Sequence, residues 1–498
     1  MRRFGASVLI AAAVVATLTP ERVATAAQAS CQTDIPVIGD VDGDGRSDLV
    51  VGLPGYSTKT GEVDLRLTTT SSRILTLTNS GLGSGAQGDE FGAAVVLADL
   101  NADGCDDIIV GAPGSNGGAG RVRVVLGAED GFQTTDGVTL GGGATSGDRF
   151  GSALAIAPNK GKTGYDLWVG APLDDVGASN SGSVVHYLIT NSTGDLEFSP
   201  AETISQNFPG VPGSAEAGDQ FGAVLSATAR GLLVGDPLEN VGKATDAGSI
   251  TLLTSSGDNA PFEKAFSWSQ ASAGVPGNAE SGDHFGAAVN AFGGHFVAGV
   301  PDEDVNGRSN AGMVQLFSWP ASGPVPGGEL KQYTPGVPGI VEAGDRFGAA
   351  VAIGRNMGCF DNSVQIAVGA PGEDVTFNGS ARKDAGTAVV FTPPPFESCA
   401  RAVDQPTLLA GNPETGDRLG STLALGRHSD DDDDASDRAF IGVPGEDGSG
   451  IVQSTPIGSG ANSTDILVAG GFKSSVGYSG DAPAGTNYGA VIASPAGE

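Results

Sequence analysis

A seven-residue phrase, GDRFGAA at Gly344–Ala350, returns with small changes at GDEFGAA (88–94), GDRFGSA (147–153), GDQFGAV (218–224) and GDHFGAA (282–288). A catalytic motif normally occurs once per domain. A phrase that recurs at near-regular intervals marks a structural unit that cannot bury its apolar face alone. The large-residue–glycine marker falls at Phe91, Phe150, Phe221, Phe285, Phe347, Leu419 and Tyr488, at intervals of 59 to 72 residues. Small and branched residues follow each marker, as in AAVVLA from Ala93, and read as a short buried strand. A second marker then closes a second strand with a Gly-x-Pro turn: VGLP at 51–54, VGAP at 110–113, 169–172 and 368–371, VGDP at 234–237, AGVP at 298–301 and IGVP at 441–444. A third strand (GRVRVVLG from Gly120, GSITLLT from Gly248) and a less uniform fourth complete each unit. Short connections make the strands antiparallel.

The two ends decide between an open stack and a closed ring. Near the N-terminus a second strand, SDLVVGLP, has no marker strand before it, and near the C-terminus a marker strand, Tyr488–Ser494, has nothing after it. Joined in one blade, the halves leave no orphan edge. The expected fold is all-β: a seven-bladed β-propeller of four-stranded antiparallel blades, closed by pairing of N- and C-terminal strands, over residues 30–498. The small residues after each marker suit strands crowded round an axis, and the marker aromatic suits a wedge between blades.

Residues 1–29 have the layout of a secretory signal peptide: Arg2 and Arg3, an apolar run from Val8 to Leu18 too short to span a bilayer, and a small-residue site at Ala27–Ala29. The chain is expected to be exported, either free or cell-wall associated, with no membrane-spanning segment. Four cysteines without zinc-site spacing then read as two disulfides. Of the three pairings, Cys31–Cys105 and Cys359–Cys399 close the shortest loops within or between neighbouring units. With 58 acidic side chains against 26 Lys and Arg, the net charge of −32 excludes nucleic acid as a partner and favours cations.

In two blades the link between first and second strands carries acids at alternating positions. Asp40, Asp42, Asp44 and Asp48 stand at positions 1, 3, 5 and 9 of one loop, and Asp99, Asn101, Asp103 and Asp107 at the same positions of the next. Alternate side chains of a tight turn converge on a point, the glycine at position 6 permits the turn, and the carbonyl at position 7 (Arg46 or Cys105) extends an all-oxygen shell suited to Ca²⁺. The alternative is a solvated Asx-type turn. Without a Glu at position 12 these are strand-connecting loops rather than EF-hands. In blade three, Lys160 and Lys162 stand where acids should be and only Asp166 remains, so ammonium groups are candidates to replace the ion. In blade seven, Asp430–Asp434 with Asp437 lack the spacing and read as a solvated acidic loop.

The opposite face collects acids after the Gly-x-Pro turns (Asp174, Asp175, Glu239, Glu303, Asp304, Glu373, Asp374, Glu446, Asp447) and before the markers (Glu216 with Asp219, Glu280 with Asp283, Glu342 with Asp345). They form either a negatively charged binding ring or, for Asp219, Asp283 and Asp345, corners that accept backbone N–H bonds. No nucleophile elbow or metalloprotease motif occurs, and His186, His284, His295 and His428 have no recurring partner.

These markers, with the Gly-x-Pro turns and the two acidic loops, resemble FG-GAP repeats, the units of the integrin α-subunit β-propeller. The resemblance covers nearly the whole chain after residue 29. It implies seven blades, Ca²⁺ held by Asp40, Asp42, Asp44, Asp48, Asp99, Asn101, Asp103 and Asp107 opposite the ligand face, and a secreted bacterial protein rather than a receptor subunit. In the integrin pattern the acidic loops sit in later blades, whereas here they sit in the first two. Three functions follow as expectations. The first is a secreted calcium-binding interaction or adhesion module with an extracellular protein or glycan ligand; an extracellular hydrolase of polysaccharide or ester and a structural envelope component are the alternatives.

Overall fold

A computed structural model describes residues 20–24, 31, 39–55, 60–67, 73–83, 85–133, 137–160, 163–192, 195–255, 262–355, 364–391, 401–405, 409, 412–428, 436–446, 450–456, 491–492 and 494–495. It is a seven-bladed all-β propeller of mostly four-stranded antiparallel blades. Blade two runs Ala94–Ala98, Asp107–Gly111, Val122–Val125 and Val138–Leu140 from the inside out; blade four runs Val224–Thr228, Gly231–Asp236, Ser249–Thr254 and Lys264–Trp268. Blades three, five and six repeat the order, and three strands of blade seven are described.

Blade one closes the ring as the ends of the sequence require. Val491–Ile492 pairs with Leu49–Leu53, placing Ile492 opposite Val51 and Val491 opposite Gly52, and Glu62–Leu67 and Arg73–Leu77 follow outward. Ser494–Pro495 then runs parallel to the first strand of blade two.

The glycines of both markers have a steric cause. The N–H of Gly92 donates to the carbonyl of Gly111 at 2.9 Å within blade two. A Cβ on Gly52 would lie 2.0 Å from the carbonyl oxygen of Gly92, and one on Gly111 would lie 2.0 Å from that of Gly151. Blade-to-blade contact at this seam is therefore backbone on backbone, and no side chain fits. Beside it Phe91, Phe150, Phe221, Phe285 and Phe347 are fully buried. Phe91 packs with Val63 and Leu65 of blade one and Val110 of blade two, which makes it the expected wedge.

One strand was not foreseen. Glu21–Ala24 adds antiparallel to the outer edge of blade three, opposite Asp195–Phe198, with Arg22 bonded to Glu197 at 2.7 Å. It lies inside the segment read as a signal peptide. The rest of that reading falls outside the described residues, except for Pro20. Among the described residues no helix is long and apolar enough to cross a membrane.

Candidate metal centre

The first acidic loop winds round its own carboxylates. Asp40 Oδ1 accepts from the N–H groups of Gly43 (2.7 Å) and Asp44 (3.1 Å), and Oδ2 from that of Gly45 (2.8 Å). Asp48 Oδ2 accepts from Val41 N–H at 2.8 Å and closes the loop. The winding needs two left-handed residues, Gly43 (φ 71°) and Gly45 (φ 87°), and the second loop repeats them at Ala102 (φ 60°) and Gly104 (φ 96°). At Gly43 a side chain is also excluded by contact, since a Cβ would sit 2.4 Å from Cys31 Cβ.

The winding brings Asp40, Asp42 and Asp48 together: each is buried and offers a carboxylate oxygen, all within 4.8 Å of one another. Burial and the nearby charge of Asp44 push the Asp40 carboxyl up to about 7, against the bonds from Gly45 and Gly43. The same causes raise Asp42 to about 6. Asp44, the fourth predicted ligand, is exposed at the rim, where Oδ1 accepts from Arg46 N–H at 3.0 Å. An oxygen-only donor set with this surplus of buried negative charge fits a hard divalent cation.

The second loop has the same backbone course but a less converged donor set. Asp99 accepts from Asp103 N–H and Gly104 N–H, both at 3.1 Å. Asp107, fully buried, accepts from Leu100 N–H (3.0 Å) and Gly127 N–H (2.9 Å), and burial holds its carboxyl well above the ordinary range. Asn101 Oδ1 accepts from Asp103 N–H at 3.0 Å, while its amide donates to Asp103 Oδ2 at 2.8 Å. Asp103 lies with Cys31 and Cys105 rather than with two other carboxylates. Those cysteines are joined in the expected disulfide and offer no thiolate. Cys359 and Cys399 lie outside the described residues.

Asp106, which spacing alone does not mark, ties the loops together. Its Oδ2 accepts from Gly39 N–H at 2.6 Å, and its own N–H donates to the Asp40 carbonyl at 2.7 Å. Burial, outweighing the bond from Gly39, pushes its carboxyl up to about 7.

Among the described residues the charge that meets Asp166 in blade three is not Lys160. Lys160 Nζ reaches the Ser255 carbonyl at 3.4 Å, and Lys162 lies outside the described residues. Instead His186, on the neighbouring strand, sets Nε2 2.9 Å from Asp166 Oδ1 and Nδ1 2.8 Å from Glu202 Oε1, stacked on Trp168 at 5.2 Å. Its partners come from the strands on either side, which explains why the sequence around it shows no pattern. In blade seven, Asp430–Asp434 and the Asp437 side chain lie outside the described residues.

On the opposite face the aspartates before the markers are corners. Asp89, Asp283 and Asp345 accept from the N–H of the residue three before them at 2.8, 2.6 and 2.6 Å, and Asp219 and Asp417 do the same. A glutamine missed by spacing completes four of these corners: Gln206, Gln270, Gln332 and Gln405 donate to Glu239, Glu303, Glu373 and Glu446 of the next blade. The repeat does carry a signal, because the first three each stand seven residues before the glycine of a VPG turn (Gly213, Gly277, Gly339). Charge left at the surface is mixed, with exposed Glu216, Glu280, Glu342, Asp304 and Asp374 beside ion pairs of Arg149 with Glu90 and Arg346 with Asp302.

Comparison with known proteins agrees with this geometry. The FG-GAP repeat model matches residues 35–65 and 91–125, the stretches that hold the two acidic loops and the strands after them. Integrin alpha-IIb of Mus musculus is 36% identical over 145 residues, 27% of this chain and 14% of that protein. Integrin alpha pat-2 of Caenorhabditis elegans is 35% identical over 187 residues, 33% of this chain and 14% of that protein. The chain thus aligns with about a seventh of the length of these relatives. The structure of the Pseudomonas aeruginosa periplasmic gluconolactonase PpgL covers 84% of this chain and 98% of its own, at 12% identity and a TM-score of 0.40, too slight a likeness to carry an argument. The fold is that of an FG-GAP-repeat, integrin-alpha-like propeller.

Proposed function

We propose that this chain is an exported interaction or adhesion module whose propeller is stabilised by Ca²⁺ in the two acidic loops. The observation that carries the reading is the convergence of Asp40, Asp42 and Asp48 on one buried point within a match to the FG-GAP repeat. Asp40, Asp42, Asp44 and Asp48 would hold one ion, and Asp99, Asn101, Asp103 and Asp107 a second. When bound, the ion would supply positive charge that offsets the clustered carboxylates. The chain's own residues contribute the winding. Asp40 and Asp99 gather the N–H groups of their loops, and Asp48 and Asp107 close each loop back onto its second residue.

Binding rather than catalysis is supported by what the titratable groups already do. The nitrogens of His186 engage two carboxylates within one blade, and His284 Nδ1 meets Asp302 at 2.8 Å. Export is supported by the leader-like start and by the Cys31–Cys105 bridge, since disulfides persist in oxidising compartments. The ligand, an extracellular protein or glycan, is assigned to the face of the 2–3 and 4–1 loops, opposite the acidic loops.

The experiment is calorimetric titration with Ca²⁺ together with melting curves in Ca²⁺ and in chelator, followed by protein pull-down and a glycan array under both conditions. Uptake of two ions with a higher Tm, and ligand capture on the propeller, are expected. Each site could add about 2.7 kcal/mol at a hundredfold excess over Kd. Absence of Ca²⁺ uptake overturns the metal assignment, and hydrolytic turnover of a bound glycan or ester overturns the non-catalytic one.

A further inference from the structure

We infer that the two acidic loops bind Ca²⁺ as a coupled pair and that Asp106 is the positioning residue that couples them. The inference rests on the calcium reading above and goes beyond it, because adjacent blades could each hold an ion independently.

Three ties cross between the loops. The first is Asp106 itself. Its N–H holds the carbonyl of Asp40, the first ligand of loop one, at 2.7 Å, and its carboxylate accepts from Gly39 N–H at 2.6 Å. One buried residue of loop two, next in sequence to the last ligand Asp107, thus holds the first ligand of loop one. Loop one has Ser47 at the corresponding position.

The second tie is the Gly127–Ala128 segment. Gly127 N–H donates to Asp107 Oδ1 of loop two at 2.9 Å, and Ala128 N–H donates to the Val41 carbonyl of loop one at 3.2 Å. A Cβ on Gly127 would lie 2.5 Å from the Asp106 carbonyl oxygen and 2.8 Å from that of Val41, so the segment is wedged between the two. The third is the disulfide, which joins position 7 of loop two to Cys31 packed against Gly43 of loop one.

An ion that draws in Asp40, Asp42 and Asp48 fixes the backbone at Asp40 and Val41. Through Asp106 and Gly127–Ala128 it also fixes Asp107. Ordering done by the first ion is then not repeated for the second, which is positive coupling, and linkage requires it to be equal in both directions.

The test uses the full oxidised chain at a temperature where circular dichroism shows native structure, with Ca²⁺ alone as probe. Removing a loop-two ligand with Asp103→Ala should weaken Ca²⁺ binding at loop one at least fivefold, and Asp44→Ala should weaken loop two by the same factor. Asp106→Ser, which installs the residue of loop one, should lower both factors markedly while each loop still binds, the remainder being carried by Gly127–Ala128 and the disulfide. Asp106→Asn, which keeps a hydrogen-bond acceptor, should retain part of the coupling and serves if the serine variant does not fold. Equal loop-one affinity with and without Asp103 overturns the coupling but leaves the calcium sites standing. Unchanged coupling in both Asp106 variants overturns the role of Asp106. Absence of Ca²⁺ uptake at either loop of the wild-type chain overturns the inference together with the reading beneath it.

Discussion

His186 and Asp166 meet across neighbouring strands of blade three, Nε2 to Oδ1 at 2.9 Å, at the position where blades one and two place the last carboxylate of their acidic loops. Burial lowers the affinity of the imidazole for its proton, but the hydrogen bonds it donates to Asp166 and Glu202 outweigh it and raise the group to about 9. The imidazolium is the local positive charge. Because the folded value lies above the ordinary 6.5, the stabilisation is complete below pH 6.5 and is lost as pH rises through 9. Melting curves from pH 6 to 10 should show Tm falling over that window. His186→Gln should cost about 3 kcal/mol at pH 6.5, since it leaves the buried Asp166 and the half-buried Glu202 without their positive charge, and should flatten the alkaline decline. A wild-type Tm constant across the window would remove the imidazolium from this account.

The backbone seam predicts a sharp contrast between two glycines. Gly111→Ala places a methyl 2.0 Å from the Gly151 carbonyl oxygen, where two blades would have to part, whereas an added Cβ on Gly328 meets nothing within 4 Å. Urea unfolding should show a loss of about 3 kcal/mol or more for Gly111→Ala. Gly328→Ala should be neutral or stabilising by up to about 1 kcal/mol. Equal stabilities for the two variants would mean that the seam can relax.

Repeat and closure were legible in the sequence because both come from the backbone. The seam admits only glycine, so Gly52, Gly92, Gly111 and Gly151 write its position into every unit, and the unmatched strands near the two ends imply one shared blade, in which Val51 pairs with Ile492. The acidic loops were legible for a related reason: their hydrogen bonds are local, and local geometry fixes spacing. What spacing could not show is any group whose partner lies on another strand or blade. His186 joins Asp166 to Glu202, Asp106 reaches Gly39 across 67 residues, and Gln332 reaches Glu373 across 41. Each is a buried polar group completed only by tertiary contact, and each looks like an ordinary residue of its own strand or turn.

The glutamine corners predict a pH-dependent cost. Gln332 Nε2 donates to Glu373, whose carboxyl is raised to about 7 by burial and then by Asp345. A raised carboxyl makes the folded state bind more protons than the unfolded one between the ordinary value of 4.5 and 7, so the corner strengthens as pH falls through that window. Gln332→Leu removes the donor that favours the ionised form. It should cost about 1 to 3 kcal/mol at pH 8 and distinctly less at pH 5. Chemical unfolding at the two pH values measures the difference, and a cost independent of pH would assign the glutamine to packing alone.

The disulfide carries the last prediction. Cys31 and Cys105 are 74 residues apart in sequence with Cα atoms at 5.6 Å, and closing a loop of that length restricts the unfolded chain by about 4 kcal/mol on the chain-entropy estimate. A nonreduced peptide map should recover Cys31 joined to Cys105, with Cys359 joined to Cys399 as the spacing of the sequence implies. Replacing Cys31 and Cys105 together by Ala should lower Tm in the presence of chelator. It should also loosen loop one, because Gly43 packs directly against Cys31. Hydrogen exchange should therefore quicken at the N–H groups of Gly43, Asp44 and Gly45, which in the oxidised protein are held by Asp40. Added Ca²⁺ should restore much of that protection, since the ion draws the same residues together. Cys31 found paired with any other cysteine, or unchanged exchange at all three N–H groups in the double variant, would detach the bridge from the loop it is packed against.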